Sequence, residues 1–124
     1  MSDPSSAGTK FEWISPVFPV SDIPSALSFY CDVLGFKLDW TWGEPPTHAS
    51  VGRDGVDIML ALNLPKAGSG DAYVGLKGVE SYFAELKARQ VPLGELADRP
   101  YGMRDFPVKD PDGNRLVFGE STIE

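Results

Sequence analysis

YGMRDFPVKDPDGNRLVFGE, residues 101–120, decides how this chain folds. Phe106 and Val108 alternate with charged or small neighbours, the period-2 pattern of a half-buried strand. Asp110-Pro111-Asp112-Gly113-Asn114 then reverses the chain, because Pro111 presets φ and Gly113 tolerates the positive φ of a tight turn. Leu116 and Phe118 resume the alternation on one face. Arg115, Val117 and Gly119 point to the other, since successive side chains of a strand alternate. What that second face lines decides the function.

The same unit occurs earlier. Asp54-Gly55 leads into Val56–Leu62, and the offset that lays Asp54-Gly55 on Asp112-Gly113 lays Ile58 on Leu116, Met59 on Val117 and Leu60 on Phe118. A turn and a strand repeating in register point to two copies of one module.

Working outward, Phe11–Val20 reads as a first strand, with Ile14, Phe18 and Val20 on one side and Trp13, Ser15, Val17 and Pro19 on the other. Pro16 and Pro19 cannot donate to a ladder, which puts this strand at an edge or sends it out of the domain. Asp22 is the expected N-cap of a helix with Pro24 in its first turn, and the apolar spacing from Ile23 to Leu34 continues to Gly35. Phe36, Leu38, Trp40 and Trp42 alternate as a second strand. Thr47–Arg53 is a third and Val56–Leu62 a fourth. After a Gly- and Pro-bearing linker come a short strand over Ala72–Lys77 and a helix from Val79 to near Gln90. Val91–Leu96 is weakly strand-like, and 97–100 reads as a loop. The expected organisation is a tail over 1–10, a first βαβββ module over 11–63, a linker over 64–71 and a second βαβββ module over 72–120, all one α+β domain. The modules' helix-free faces are expected to curl around a central cleft.

A chain of 124 residues, 42% of them hydrophobic, can bury one real core. No apolar run is long enough to cross a membrane, and the polar start MSDPSSAGTK does not read as a signal peptide. A single cysteine, Cys31, fits a reducing cytoplasm. The net charge of −7 argues against nucleic acid and anionic membranes as partners and favours a cationic small molecule.

PVSDIPSALSFYCDVLGF near the start and RDFPVKDPDGNRLVFGE at the end, in this element order, resemble the glyoxalase/bleomycin-resistance/extradiol dioxygenase superfamily, whose fold is called the vicinal oxygen chelate fold. Within it the nearest likeness is to bleomycin-resistance proteins, through Pro16 and through Arg99-Pro100-Tyr101-Gly102 followed by Arg104-Asp105-Phe106. The resemblance implies a homodimer that exchanges its N-terminal strand, with each cleft built from both subunits. It also marks four inner-face positions where the enzymes of the superfamily hold a divalent metal: Ser15, Met59, Tyr73 and Val117. None offers the imidazole or carboxylate such a metal needs. The expectation is therefore a protein with neither metal nor other cofactor and without catalytic residues. It would sequester a flat, cationic, bleomycin-like compound in an aromatic-lined cleft formed by Trp40, Trp42, Met59, Tyr101, Val117 and Asp57. The rival reading is a metal-dependent lyase, isomerase or dioxygenase with unusual ligands such as His48, Asp57 and Glu120. His48, the only histidine, otherwise reads as a partly exposed residue beside Pro45-Pro46. Asp39, Asp57, Asp105 and Glu120 read as charges on the rim.

Overall fold

The computed structural model describes residues 8–62 and 66–123. The first module runs β1 (Val17–Val20), α1 (Ile23–Leu27), a π-helical stretch Ser28–Val33, β2 (Lys37–Trp42), β3 (His48–Arg53) and β4 (Val56–Leu62). The second runs β5 (Asp71–Gly75), α2 (Val79–Ala88), β6 (Ala97–Asp98), β7 (Met103–Lys109) and β8 (Arg115–Ser121). Each module is a mixed sheet of four strands, ordered β1-β4-β3-β2 and β5-β8-β7-β6. β1 lies parallel to β4 and β5 parallel to β8, while the remaining pairs are antiparallel. Val17 faces Met59 in the first sheet and Tyr73 faces Val117 in the second, so the sequence repeat is also a repeat of register.

One face of each sheet feeds a single core. Phe18, Val20, Ile58, Leu60 and Val51 of the first module join Phe106, Val108, Leu116 and Phe118 of the second, with Tyr30, Leu34, Tyr82 and Leu86 from the helical segments. Each fully buried side chain of this size contributes roughly 1.5–3 kcal/mol. Tyr82 of α2 ties the modules together. Its hydroxyl donates to the Leu34 carbonyl at 2.7 Å, and the Arg53 guanidinium lies 5.1 Å over its ring. Burial pushes the Tyr82 phenol up to about 12.

The Asp110–Asn114 turn is a second tie. Asp110 Oδ1 accepts from the backbone N–H of Asp112 and of Asn114, both at 2.9 Å. Its Oδ2 accepts from the Tyr30 hydroxyl at 2.9 Å and from Asn114 Nδ2 at 2.8 Å. Asn114 also donates to the Pro19 carbonyl and accepts from the Gly70 N–H. Gly113 takes φ +99° to close the turn. The most recognisable motif in the sequence thus fastens β1 and the π-helical stretch of one module to the hairpin of the other.

Several boundaries differ from the sequence reading. The first strand is only four residues long. β4 begins at Val56, which the β1–β4 register sets level with residue 14, so residues 11–13 lie beyond its start, and among the described residues no strand pairing reaches back past Val17. Ile14 consequently does not share the buried face with Phe18 and Val20. Residues 8–16 form an arm without helix or strand on which Phe11, Ile14 and Trp13 are 96%, 91% and 78% exposed. The first helix starts as expected, with Ser25 N–H donating to Asp22 Oδ2 at 2.8 Å, but widens into a π-helix beyond Leu27. β2 carries a bulge at Asp39. Leu38 pairs with Val51 and Trp40 with Ser50, so Leu38 lies on the face opposite Trp40 and Trp42. Of Val91–Leu96 only Leu93 forms a bridge, to Val108, whereas Ala97-Asp98, read as loop, pairs with β7. Leu64 and Pro65 of the linker, like most of the tail, lie outside the described residues.

Candidate functional site

Each sheet turns its second face away from the shared core, and each of these faces is an open wall. On the first sheet, register sets Met59 beside Ser50 and Ser50 beside Trp40, with Ala61, His48 and Trp42 one step along. Trp40, Thr41, Trp42 and His48 line a hollow of about 530 Å³. His48 stands edge-on to Trp42, ring centroids 5.6 Å apart, and its Nδ1 lies 2.9 Å from Thr47 Oγ1. His48 is a partly exposed strand residue, as expected, and its ring also stands in the aromatic wall. The bulge turns Asp39 onto the same face, where Ser50 Oγ donates to it at 3.4 Å. Asp39 and Asp57 converge over Gly52, on which a Cβ would come within 2.9 and 2.6 Å of their carboxylate oxygens. Among the described residues neither carboxylate has an ion-pair partner.

The second wall holds Tyr73, Arg99, Tyr101, Met103, Asp105, Pro107, Arg115 and Val117 around a hollow of about 870 Å³. At its floor sits Asp105, 2% exposed. Asp105 Oδ2 accepts from the Tyr73 hydroxyl and from the Tyr101 hydroxyl, each at 2.7 Å, and Oδ1 accepts from Arg99 Nε at 2.7 Å. Burial alone would raise the Asp105 pKa, but the bonds from Tyr101, Tyr73 and Arg99 outweigh it and hold the carboxyl below the ordinary aspartate value. The Tyr73 hydroxyl is pushed up by burial and by its bond to Asp105; that of Tyr101 is pushed up first by the Asp105 bond and then by burial. To reach Asp105 the Tyr73 ring crosses β8 over Gly119, where a Cβ would lie 2.3 Å from its hydroxyl oxygen.

Of the expected site residues, the structure brings Trp40, Trp42, Met59 and Asp57 onto the first wall and Tyr101 and Val117 onto the second. The two hollows share no residue. Two of the expected rim charges belong elsewhere. Asp105 is the buried floor of the second wall. Glu120 sits in phase with Leu116 and Phe118, where its carboxylate accepts from the N–H groups of Gly78 and Val79, both at 3.0 Å, and caps α2. The hydrogen bonds of Tyr73, Arg99 and Asp105 escape a linear reading because they depend on the strand order β5-β8-β7. The one local hint was a glycine, Gly119, inside an otherwise regular strand. A third hollow, about 620 Å³, lies away from both walls between the modules, and its Arg53 is already committed to Leu34 and Tyr82.

The residues at the four positions marked for a metal do not suit one. Ser15 Oγ is bonded to the backbone of Asp57, Met59 offers a thioether, the Tyr73 hydroxyl is spent on Asp105, and Val117 has no donor. No group of three or more His, Cys, Asp or Glu side chains among the described residues is placed to hold a metal ion, so His48, Asp57 and Glu120 do not form the ligand set that the rival enzyme reading requires. Cys31 is no better a nucleophile, because burial and then the charges of Asp32 and Asp39 raise its thiol. No helix among the described residues is long and apolar enough to cross a membrane.

The sequence model of the Glyoxalase/Bleomycin resistance protein/Dioxygenase superfamily matches residues 11–118. A bleomycin resistance protein of Geobacillus stearothermophilus is 26% identical, the match covering 83% of this chain and 92% of that protein. Among solved structures, the bleomycin-binding protein of bleomycin-producing Streptomyces verticillus, in complex with copper(II)-bleomycin, superposes with a TM-score of 0.76 at 26% identity, over 89% of this chain and 96% of the other. An antibiotic binding protein from Streptomyces sp. CB03234 superposes with a TM-score of 0.72 at 29% identity, over 85% and 91%.

Proposed function

We propose, for a chain that belongs to the glyoxalase/bleomycin resistance protein/dioxygenase superfamily, a binding protein that sequesters a flat, cationic, aromatic compound of the bleomycin kind without transforming it. The observation that carries this is the first wall: Trp40 and Trp42, open to solvent, beside two carboxylates without ion-pair partners among the described residues. Indole faces attract a planar cation by stacking and by their quadrupole, and Asp39 and Asp57 add charge attraction at the same place. A sequestering protein needs affinity and no reacting group. Two of the relatives named above, the Geobacillus stearothermophilus and Streptomyces verticillus proteins, carry bleomycin in their names or crystals and support the ligand class.

One wall is half a site. Both open faces point away from the core within a chain, so a two-walled cleft needs a second copy. We assign the protein a homodimer in which the first wall of one protomer meets the second wall of its partner, and in which the arms carrying Phe11, Trp13 and Ile14 are exchanged. Three large apolar side chains so exposed on one short segment favour burial against another molecule. We place the protein in the cytoplasm, where unpaired Cys31 stays reduced.

Isothermal titration with bleomycin, and with a flat anionic dye of similar size, tests the reading. Bleomycin binds the more tightly, and its advantage shrinks as salt rises past about 0.1 M, where screening falls to roughly 10 Å. Equal affinity for both removes the role of the carboxylates; no heat from bleomycin overturns the binding function itself.

A further inference from the structure

We infer that the second wall recognises hydrogen-bond donors on the ligand, because Asp105 consumes the protons of both tyrosine hydroxyls that face it. Tyr73 and Tyr101 each lie 2.7 Å from the same oxygen, Asp105 Oδ2. An ionised carboxylate only accepts, so both hydroxyls must donate to it. A phenol has one proton. Once that proton points at Asp105, the oxygen offers only lone pairs to anything in the hollow.

The arrangement is fixed on every side. Asp105 is 2% exposed and stays ionised, held by Arg99 Nε on its other oxygen. Arg99 is anchored in turn by the carbonyls of Glu95 and Asp105, at 2.9 and 3.3 Å. Turning either hydroxyl proton toward a ligand acceptor would leave a buried carboxylate short of a partner, which is unfavourable. Local charge does not set the preference, since Arg99 pairs with Asp105 and Arg115 with Asp71. The two tyrosine oxygens therefore select N–H groups, amide, amine or guanidinium, and disfavour cations that have no proton to give. Asp105 is a positioning residue: it acts through the two tyrosines.

This rests on the binding reading above, and the test separates the two. Bleomycin congeners that differ only in their terminal cation, a guanidinium with N–H groups or a dimethylsulfonium without them, share scaffold and charge. The unaltered protein should bind the guanidinium congener about tenfold more tightly. A Tyr73→Phe/Tyr101→Phe variant should bind both alike, with the loss falling on the guanidinium congener. Asp105→Asn, checked for folding by its thermal melt, should shrink the gap, because an Asn oxygen that accepts from Arg99 Nε turns its NH2 to the tyrosines, which then accept from it and free their protons. Equal affinity of the unaltered protein for the two congeners, or a gap that survives the double tyrosine change, overturns the inference while leaving the binding function standing. Failure of the unaltered protein to bind either congener overturns both.

Discussion

Asp110 lies 5% exposed beneath its turn, and its carboxylate collects the Tyr30 hydroxyl, the Asn114 amide and two backbone N–H groups. Replacing it by alanine strands those donors inside the protein. Asp110→Ala should therefore lower stability by about 3 kcal/mol, the scale of more than one buried donor left unpaired; urea unfolding reads it directly, and a change below about 1 kcal/mol would mean the donors find water instead. Gly119 has a different duty. A methyl group there would sit 2.3 Å from the Tyr73 hydroxyl oxygen, so the ring must leave β8 and release Asp105. Gly119→Ala is expected to weaken bleomycin binding several-fold, roughly 1 kcal/mol. Adding Tyr73→Phe to it should cost nothing further, because the hydroxyl has already lost its partner. Additive losses in that pair would contradict the packing described.

At the scale of elements, legibility followed local periodicity and stopped where a partner strand decides the outcome. The alternation in Val56–Leu62 and Arg115–Ser121 is visible in the residues, as are Asp22 as N-cap and the 110–114 turn. Trp40 and Trp42 could be picked as a wall from their spacing. That Leu38 leaves their face could not, since Phe36, Leu38, Trp40 and Trp42 form an unbroken alternation and only pairing with β3 reveals the extra residue at Asp39. Likewise Phe11, Trp13 and Val17 alternate well enough for one strand, yet only Val17 pairs with β4, whose first residue, Val56, stands level with residue 14. The Tyr73–Asp105 bond joins residues 32 apart through strand order alone. The bulge makes a prediction of its own. Deleting Asp39 should regularise β2 while preserving the Trp40–Ser50 and Trp42–His48 pairs, so both indoles stay on the open wall. Tryptophan emission should still respond to bleomycin, with weaker affinity from the lost carboxylate. A loss of all response in a folded deletion variant would show that the bulge, and not the pairing, aims the indoles.

For the whole molecule, the proposed homodimer accounts for the two walls and the exposed arm together. A free chain leaves Trp40, Trp42, Tyr73 and Tyr101 on open faces and Phe11, Trp13 and Ile14 on a bare arm. A second copy would cover all of them and set an acidic indole wall against a tyrosine wall. Sedimentation at micromolar concentration should report twice the 13.5 kDa chain mass. Deleting residues 1–15 should shift the equilibrium toward monomer and reduce bleomycin affinity together, since each cleft then loses its second wall; a truncated chain that is monomeric and binds as before would separate dimerisation from function. Tryptophan fluorescence titrated with bleomycin, in the unaltered protein and in the Trp40→Phe and Trp42→Phe variants, tests the indole wall directly. Saturable quenching, diminished in each variant and weakened by salt, is expected. Emission that does not change with bleomycin, or that changes identically in both variants and the unaltered protein, would contradict it.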